Sequence, residues 1–231
     1  MVASIVVERF DSRGKINLGP LEANITIDGF VYSGISGFGS APVTVTIGTF
    51  GSIGQKNNGP IPEVTLTGDG ERVIDNAGII AADIQLGGGD DELNTTGKVI
   101  GSVNMGGGND VVTLTSLQNG ASYIPAQITN TLNTGSGDDV VINFGWLADV
   151  KLGSGNDLSL ARSDDGSFQP YGSADRVDGG TGNDTIIGHD FDDVFIGGAG
   201  NDRIEGDDGN DVLKGGQDRD TVFGGNGQDH V

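Results

Sequence analysis

GGTGNDTII, GHDFDDVFI, GGAGNDRIE, GDDGNDVLK, GGQDRDTVF and GGNGQDHV, read without a gap from Gly179 to Val231, are copies of one nine-residue unit. The sixth position is Asp every time (Asp184, Asp193, Asp202, Asp211, Asp220, Asp229), and the eighth is apolar (Ile186, Phe195, Ile204, Leu213, Val222, Val231). A fixed period sustained this long marks a repeat architecture, in which a unit buries its apolar side only by stacking on its neighbours. Six residues of each unit are expected to turn and three to extend. Side chains alternate faces along a strand, so only the middle one of three points inward, and one apolar residue per unit is enough. Two units then make one full coil with a turn at each edge. Coils stack at roughly 4.8 Å. Residues two units apart lie above one another, so Asp184, Asp202 and Asp220 form one column and Asp193, Asp211 and Asp229 the other.

Carboxylates stacked that closely repel, and some would have to take up protons. A hard divalent cation between coils removes the conflict. Calcium accepts several oxygen ligands at about 2.3–2.6 Å in flexible geometry, mixing carboxylates with carbonyls, whereas magnesium demands a tighter octahedron and keeps its waters. A glycine-rich turn brings its carbonyls close to such an ion. The expected donors are the carboxylates of Asp91, Asp110, Asp139, Asp157, Asp184, Asp193, Asp202, Asp211, Asp220 and Asp229. Backbone carbonyls of Gly87, Gly89, Gly106, Gly108, Gly180, Gly182, Gly198, Gly200, Gly225 and Gly227 complete the set.

GGTGNDTII, GGAGNDRIE and GGNGQDHV resemble the haemolysin-type, repeats-in-toxin (RTX) pattern G-G-x-G-x-D-x-U-x. The resemblance implies an all-β chain: a right-handed parallel β-solenoid (β-roll or β-helix) with Ca²⁺-binding nonapeptide turns. It also implies a bacterial secreted protein, exported by type I secretion and folded by extracellular calcium. Some copies depart from the pattern. His189 and Phe191 replace both key glycines of the second unit, which weakens the expectation for Asp193, and Asp207 and Asp218 replace one each further on.

The motif continues upstream in a variant form: LGGGDDEL with Asp91, MGGGNDVV with Asp110, TGSGDDVV with Asp139 and LGSGNDLS with Asp157. The steps from Asp91 to Asp110 and from Asp139 to Asp157 are each close to a coil in length, so they read as one coil per motif with calcium turns on one edge only. The steps from Asp110 to Asp139 and from Asp157 to Asp184 are longer by half a coil. They imply an excursion near Gln118–Ala126 and a loop around Ser163–Gly172. Seven aspartates from Asp91 to Asp220 then share one column. One coil before LGGGDDEL stands TGDGERVI, with Arg72 in the metal-Asp position; it reads either as a coincidental glycine-rich turn or as an arginine that pairs directly with Asp91 and ends the column.

Charge divides the chain in the same places. Residues 1–66 hold 5 acids and 4 bases, 67–177 hold 15 and 5, and 178–231 hold 13 and 3, which sums to the net charge of -21. The first part reads as a β-rich cap or calcium-free coils (KINL, NITIDGFVY, VTVTIGTFGSI, EVTLTG), the second as a solenoid with the variant motifs, the third as the regular roll. So acidic a chain repels nucleic acid and anionic membrane and attracts cations. It has no Cys, hence neither disulfides nor thiolate metal sites. No apolar run approaches the length of a membrane span, and MVASIVVERFDSRG does not read as a cleaved signal peptide. Ending within a repeat at Val231, the chain reads as a fragment or as an open edge on which another chain stacks.

No catalytic pattern stands out. H-E-x-x-H, G-x-S-x-G and the Walker loop are absent, and Asp164-Asp165 and Asp207-Asp208 are acidic pairs of the kind that 33 acids produce freely. Trp146 and Tyr171 are candidates for stacking on a sugar, and Asn24-Ile25-Thr26 fits a glycosylation sequon. The expectation is a non-enzymatic extracellular module at the cell surface, structural or adhesive, part of a surface layer, adhesin or filament. The alternative is part of a secreted polysaccharide-modifying enzyme. Partners would be calcium, further copies of the chain through the solenoid ends, or a surface glycan.

Overall fold

A computed structural model describes residues 3–7, 16–19, 22–28, 30, 31, 34–48, 52, 53, 63–119, 122–161 and 175–231. These residues form strands and turns, with no helix among them and hence none long and apolar enough to cross a membrane. Two parallel sheets run the length of the chain. The first orders its 11 strands by sequence, from Ala3–Val7 through Ala23–Ile27, Val43–Ile47, Arg72–Asn76, Glu92–Thr95, Val111–Leu114 and Val140–Asn143 to Leu158–Ala161, Thr185–Ile187, Arg203–Asp208 and Thr221–Asn226. The second runs opposite it, from Ile16–Asn17 to Val212–Gln217. The chain therefore winds as a solenoid, and the described strands of residues 1–66 belong to the same sheets as the rest.

Register shows why one inward residue per strand suffices. On the first sheet Ile25, Val45, Ile74, Leu93, Val112, Val141, Ser159, Ile186, Ile204 and Val222 stand in one cross-strand row. On the second, Val64, Ile84, Val103, Leu132, Val150, Val177, Phe195 and Leu213 do the same. All but Ser159 and Val222 of these rows belong to the buried apolar core. Each fully buried Ile or Leu contributes roughly 1.5–3 kcal/mol of transfer free energy, so the two rows are the main adhesive of the stack.

The upstream coils have a third, short face. Phe30–Val31, Ser52–Ile53, Ile79–Ile80 and Lys98–Val99 pair in parallel, and the row continues into Gln127-Ile128 and Trp146-Leu147. Asp91 to Asp110, across a three-sided coil, is a step of 19, whereas Asp184 to Asp202, across a coil with two faces and a turn at each edge, is a step of 18. Coil length is not set by that face alone: the coil from Asp139 to Asp157 carries Trp146-Leu147 and is a step of 18, with a register shift after Ile128. The excursion expected between Asp110 and Asp139 is an antiparallel hairpin of Leu117–Asn119 with Ser122–Ile124. The second loop lies outside the described residues.

The expectation of three extended residues per unit is corrected. Val194–Ala199, Arg203–Asp208 and Val212–Gln217 are strands of six, running on through the first two positions of the next turn, Gly-Gly in two of them and Gly206-Asp207 in the other. The ladder survives there because the glycines take positive φ (Gly180 101°, Gly198 118°) and stack on their counterparts. A Cβ on Gly198 would collide with the carbonyl oxygen of Gly180 one coil below. Phe191, Asp207 and Asp218, which replace turn glycines, adopt the same positive φ (86°, 69° and 74°).

Candidate metal centre

The Asp of each unit sits immediately before an inward-facing strand, which anchors the turn behind it. Asp91, Asp110, Asp139, Asp157, Asp184, Asp193, Asp202 and Asp211 are no more than 2% exposed, although each is ionisable. Their Oδ1 atoms explain how they stack. Oδ1 of Asp91 accepts the backbone N–H of Arg72, that of Asp110 the N–H of Asp91, and so on through Asp139, Asp157, Asp184, Asp202 and Asp220. On the other edge, Asp193, Asp211 and Asp229 accept from Asp175, Asp193 and Asp211. All ten bonds measure 2.7–3.1 Å. The two columns are those expected from the spacing. Asp193 has the same geometry as the others in spite of His189 and Phe191.

The second oxygen is different. Oδ2 of Asp91, Asp110, Asp139, Asp157, Asp184, Asp193, Asp202 and Asp211 is buried and makes no hydrogen bond of ordinary geometry, although Gly87, Thr134 and His189 lie close enough to Asp91, Asp139 and Asp193 to favour their charged forms. A buried polar atom without a partner is expensive, and a buried charge more so. The titration reflects this: burial pushes Asp91 and Asp193 up to about 8, Asp110 and Asp157 to about 7 and Asp184 to about 6, with neighbouring carboxylates adding to the effect. Either a proton or a cation must relieve each of them.

The surroundings favour a cation. In the downstream turns Oδ2 faces the first glycine of its own unit. A Cβ on Gly188 would stand 2.6 Å from Asp193 Oδ2 and 2.5 Å from the carbonyl oxygen of Gly206 in the next coil. The same pair of oxygens closes on Gly179, Gly197 and Gly206, so glycine there leaves open a space that any side chain would fill. In the upstream turns that position carries Leu86, Met105, Thr134 and Leu152, all buried, so the glycine-cleared space belongs to the downstream turns. No three acidic or histidine side chains converge among the described residues. Any ion must therefore draw most of its donors from the backbone, as a calcium ion readily does. The carbonyls expected to do so, those of Gly87, Gly89, Gly106, Gly108, Gly180, Gly182, Gly198 and Gly200, lie at the second and fourth turn positions. Those of Gly87 and Gly89 face Gly106 and Gly108 of the next coil, and those of Gly180 and Gly182 face Gly198 and Gly200. Asp220, Asp229, Gly225 and Gly227 belong to the last coil, where the two aspartates are partly exposed.

Arg72 requires a correction. Its backbone N–H, not its guanidinium, meets Asp91, and no ion pair within 4.0 Å joins the two. The guanidinium turns toward the preceding coil and donates to the carbonyls of Gly39 (2.7 Å), Ala41 (2.8 Å), Glu71 (3.1 Å) and Thr67 (3.3 Å). Carbonyls alone attract a cation without requiring a carboxylate. Asp175 was not anticipated. It begins the second column, one unit before Asp184 and with Val177 in the apolar position, but SADRV lacks the glycines that reveal the frame. Its Oδ2 accepts from Asn143 Nδ2 at 3.0 Å, so this carboxylate has a built-in donor. Burial still raises it to about 7.

Trp146 lies on the third face, beside Gln127 and 36% exposed. Asp164, Asp165 and Tyr171 lie outside the described residues. His189 and His230 lie in separate turns, with His189 Nδ1 3.0 Å from Asp190 Oδ1.

Residues 171–204 and 196–231 match the family of the RTX calcium-binding nonapeptide repeat, in four copies. The matched region begins close to Asp175 and covers both Asp columns of the downstream roll. No curated protein and no solved structure matches the chain.

Proposed function

We propose, from the premise that the chain carries RTX repeats and that such arrays bind several calcium ions, that this protein is an extracellular, non-enzymatic module whose solenoid stiffens on calcium. Its role in this reading is structural or adhesive, within a surface layer, adhesin or filament. The observation that carries the reading is the set of eight buried Asp Oδ2 atoms without a hydrogen bond of ordinary geometry. Inside a cell, where free calcium is scarce, these carboxylates oppose the packed state. Outside, calcium binds only the folded coils and stabilises them by mass action. The chain's own residues set the sites: Asp supplies charge, the turn carbonyls supply further oxygens, and glycine keeps the space clear. Export of an unstructured chain followed by folding at the surface fits such a switch.

Far-ultraviolet circular dichroism of the chain in EGTA and then in rising calcium tests the switch. The expected result is a large loss of β-signal in chelator and its cooperative return with calcium. A β-spectrum indifferent to EGTA overturns it.

A further inference from the structure

We propose that Arg72 is a resident cation: its guanidinium occupies the calcium position at the head of the first Asp column and holds the surrounding coils together without metal. The inference rests on the calcium reading of the downstream turns, and it concerns a place where no calcium is required.

The frame makes the substitution plain. Thr67–Arg72 reads TGDGER and Thr134–Asp139 reads TGSGDD, so Arg72 stands where the column carries Asp. Register agrees with this alignment: Val43 pairs with Arg72 and Phe38 with Thr67, which places Gly39 and Ala41 at the second and fourth positions of the preceding turn. Gly39 and Gly68 share the positive φ of those turns (114° and 116°). The guanidinium takes the carbonyls of Gly39 and Ala41, and with them the Thr67 carbonyl at the first position of its own turn. Downstream, the corresponding oxygens are the second- and fourth-position carbonyls of one coil and the first-position carbonyl of the next. Arg72 therefore draws on carbonyls at the turn positions proposed for an ion downstream, together with that of Glu71.

The chemistry suits a permanent replacement. Arg72 is 1% exposed and remains charged at any physiological pH. Its two terminal nitrogens make four contacts to carbonyls, which offset much of the cost of burying the charge, while Nε is buried without a partner and burial lowers the pKa. Its backbone N–H starts the ladder by donating to Asp91 Oδ1, and its charge opposes that of Asp91. The turn before it, Phe38-Gly39-Ser40-Ala41-Pro42, has no acid at all, so a cation bound there by carbonyls alone must be tethered to stay. The coils spanning residues 34–48 and 63–86 thus form a metal-independent block on which the calcium-dependent coils stack.

Hydrogen exchange on the full chain, in EGTA and in saturating calcium, tests this. In EGTA the wild type is expected to keep protection over 34–48 and 63–86 and to lose it over 178–231. Arg72→Gln should lower protection in the first block by at least about tenfold in EGTA, as expected when several buried carbonyls lose a charged donor. Arg72→Asp restores the motif. It should lose the block in EGTA, regain it in calcium, and bind one more ion per chain than wild type by metal analysis. If Arg72→Gln does not fold even in calcium while Arg72→Asp does, the proposal stands. Wild-type protection of Arg72→Gln in EGTA, or an Arg72→Asp chain that calcium neither rescues nor loads further, overturns it. If residues 178–231 of the wild type stay protected in EGTA, the calcium reading itself falls first, and the arginine's role as a substitute falls with it.

Discussion

The two oxygens of a repeat aspartate are used differently. Oδ1 closes the stack by taking the N–H of the coil before it, and in the downstream turns Oδ2 lies buried beside a glycine. The glycine is thus as much a part of the site as the acid. Gly197→Ala is expected to lose about one bound ion per chain and to weaken stability in calcium by about 1–3 kcal/mol, because the new methyl would sit on Asp202 Oδ2 and 2.6 Å from the Gly215 carbonyl. Gly19→Ala, with nothing within 4 Å of the added carbon, is the matched control and should change neither. Metal content after dialysis and thermal melts read both. Asp218 is the converse case, a charged residue held at φ 74° where the motif prefers glycine. Asp218→Gly is expected to stabilise the metal-free chain by about 1 kcal/mol, by relieving the left-handed backbone and removing a charge that acts on Asp202. A lower melting temperature in EGTA would contradict that account.

Among the elements, strands tolerate what happens between them provided their register holds. The step from Asp110 to Asp139 is 29, half a coil longer than its neighbours. Even so, Val111–Leu114 pairs with Val140–Asn143, and Lys98-Val99 with Gln127-Ile128, without interruption. Among the described residues, the hairpin of Leu117–Asn119 and Ser122–Ile124 pairs only with itself. Deleting residues 116–125 restores the step of 19 found between Asp91 and Asp110. The lost loop has little effect on closure entropy, so the melting temperature in calcium should move by no more than a few degrees. Loss of the cooperative transition would mean that the hairpin supports the stack. At this scale the one-coil-per-motif reading was legible because every coil-length interval carries the same Gly-Asp turn. The third face was not. Ile79-Ile80 and Lys98-Val99 are two-residue strands, too short for any periodicity to show, and only pairing with neighbours one coil away makes them strands.

For the whole molecule, the net charge of -21 and the buried carboxylates make proton and calcium competitors. In the metal-free fold Asp91 and Asp193 titrate near 8, Asp110, Asp157 and Asp175 near 7, and Asp184 near 6, all above the unfolded value of about 4. Between those limits the folded chain binds more protons than the unfolded chain, so metal-free stability falls as pH rises from about 4 to 8. The chain in EGTA is therefore expected to gain β-structure on acidification from pH 8 to 5, followed by circular dichroism. Calcium binding near pH 7 should release protons, detectable by calorimetry in buffers of different ionisation enthalpy. A metal-free fold that weakens on acidification over that range would contradict the burial of these groups.

Period, apolar position and Asp spacing are local properties of the chain, and by themselves they determined the parallel stack, the two carboxylate columns and the preference for a hard cation. The donors of the Arg72 guanidinium, the capping of Asp175 by Asn143 and the isolation of Oδ2 were decided only by the tertiary structure. Each depends on atoms brought together from neighbouring coils, Arg72 and Gly39 being 33 apart in the chain. The direction a side chain takes across that gap is set by the packing of the coils and not by the residues beside it.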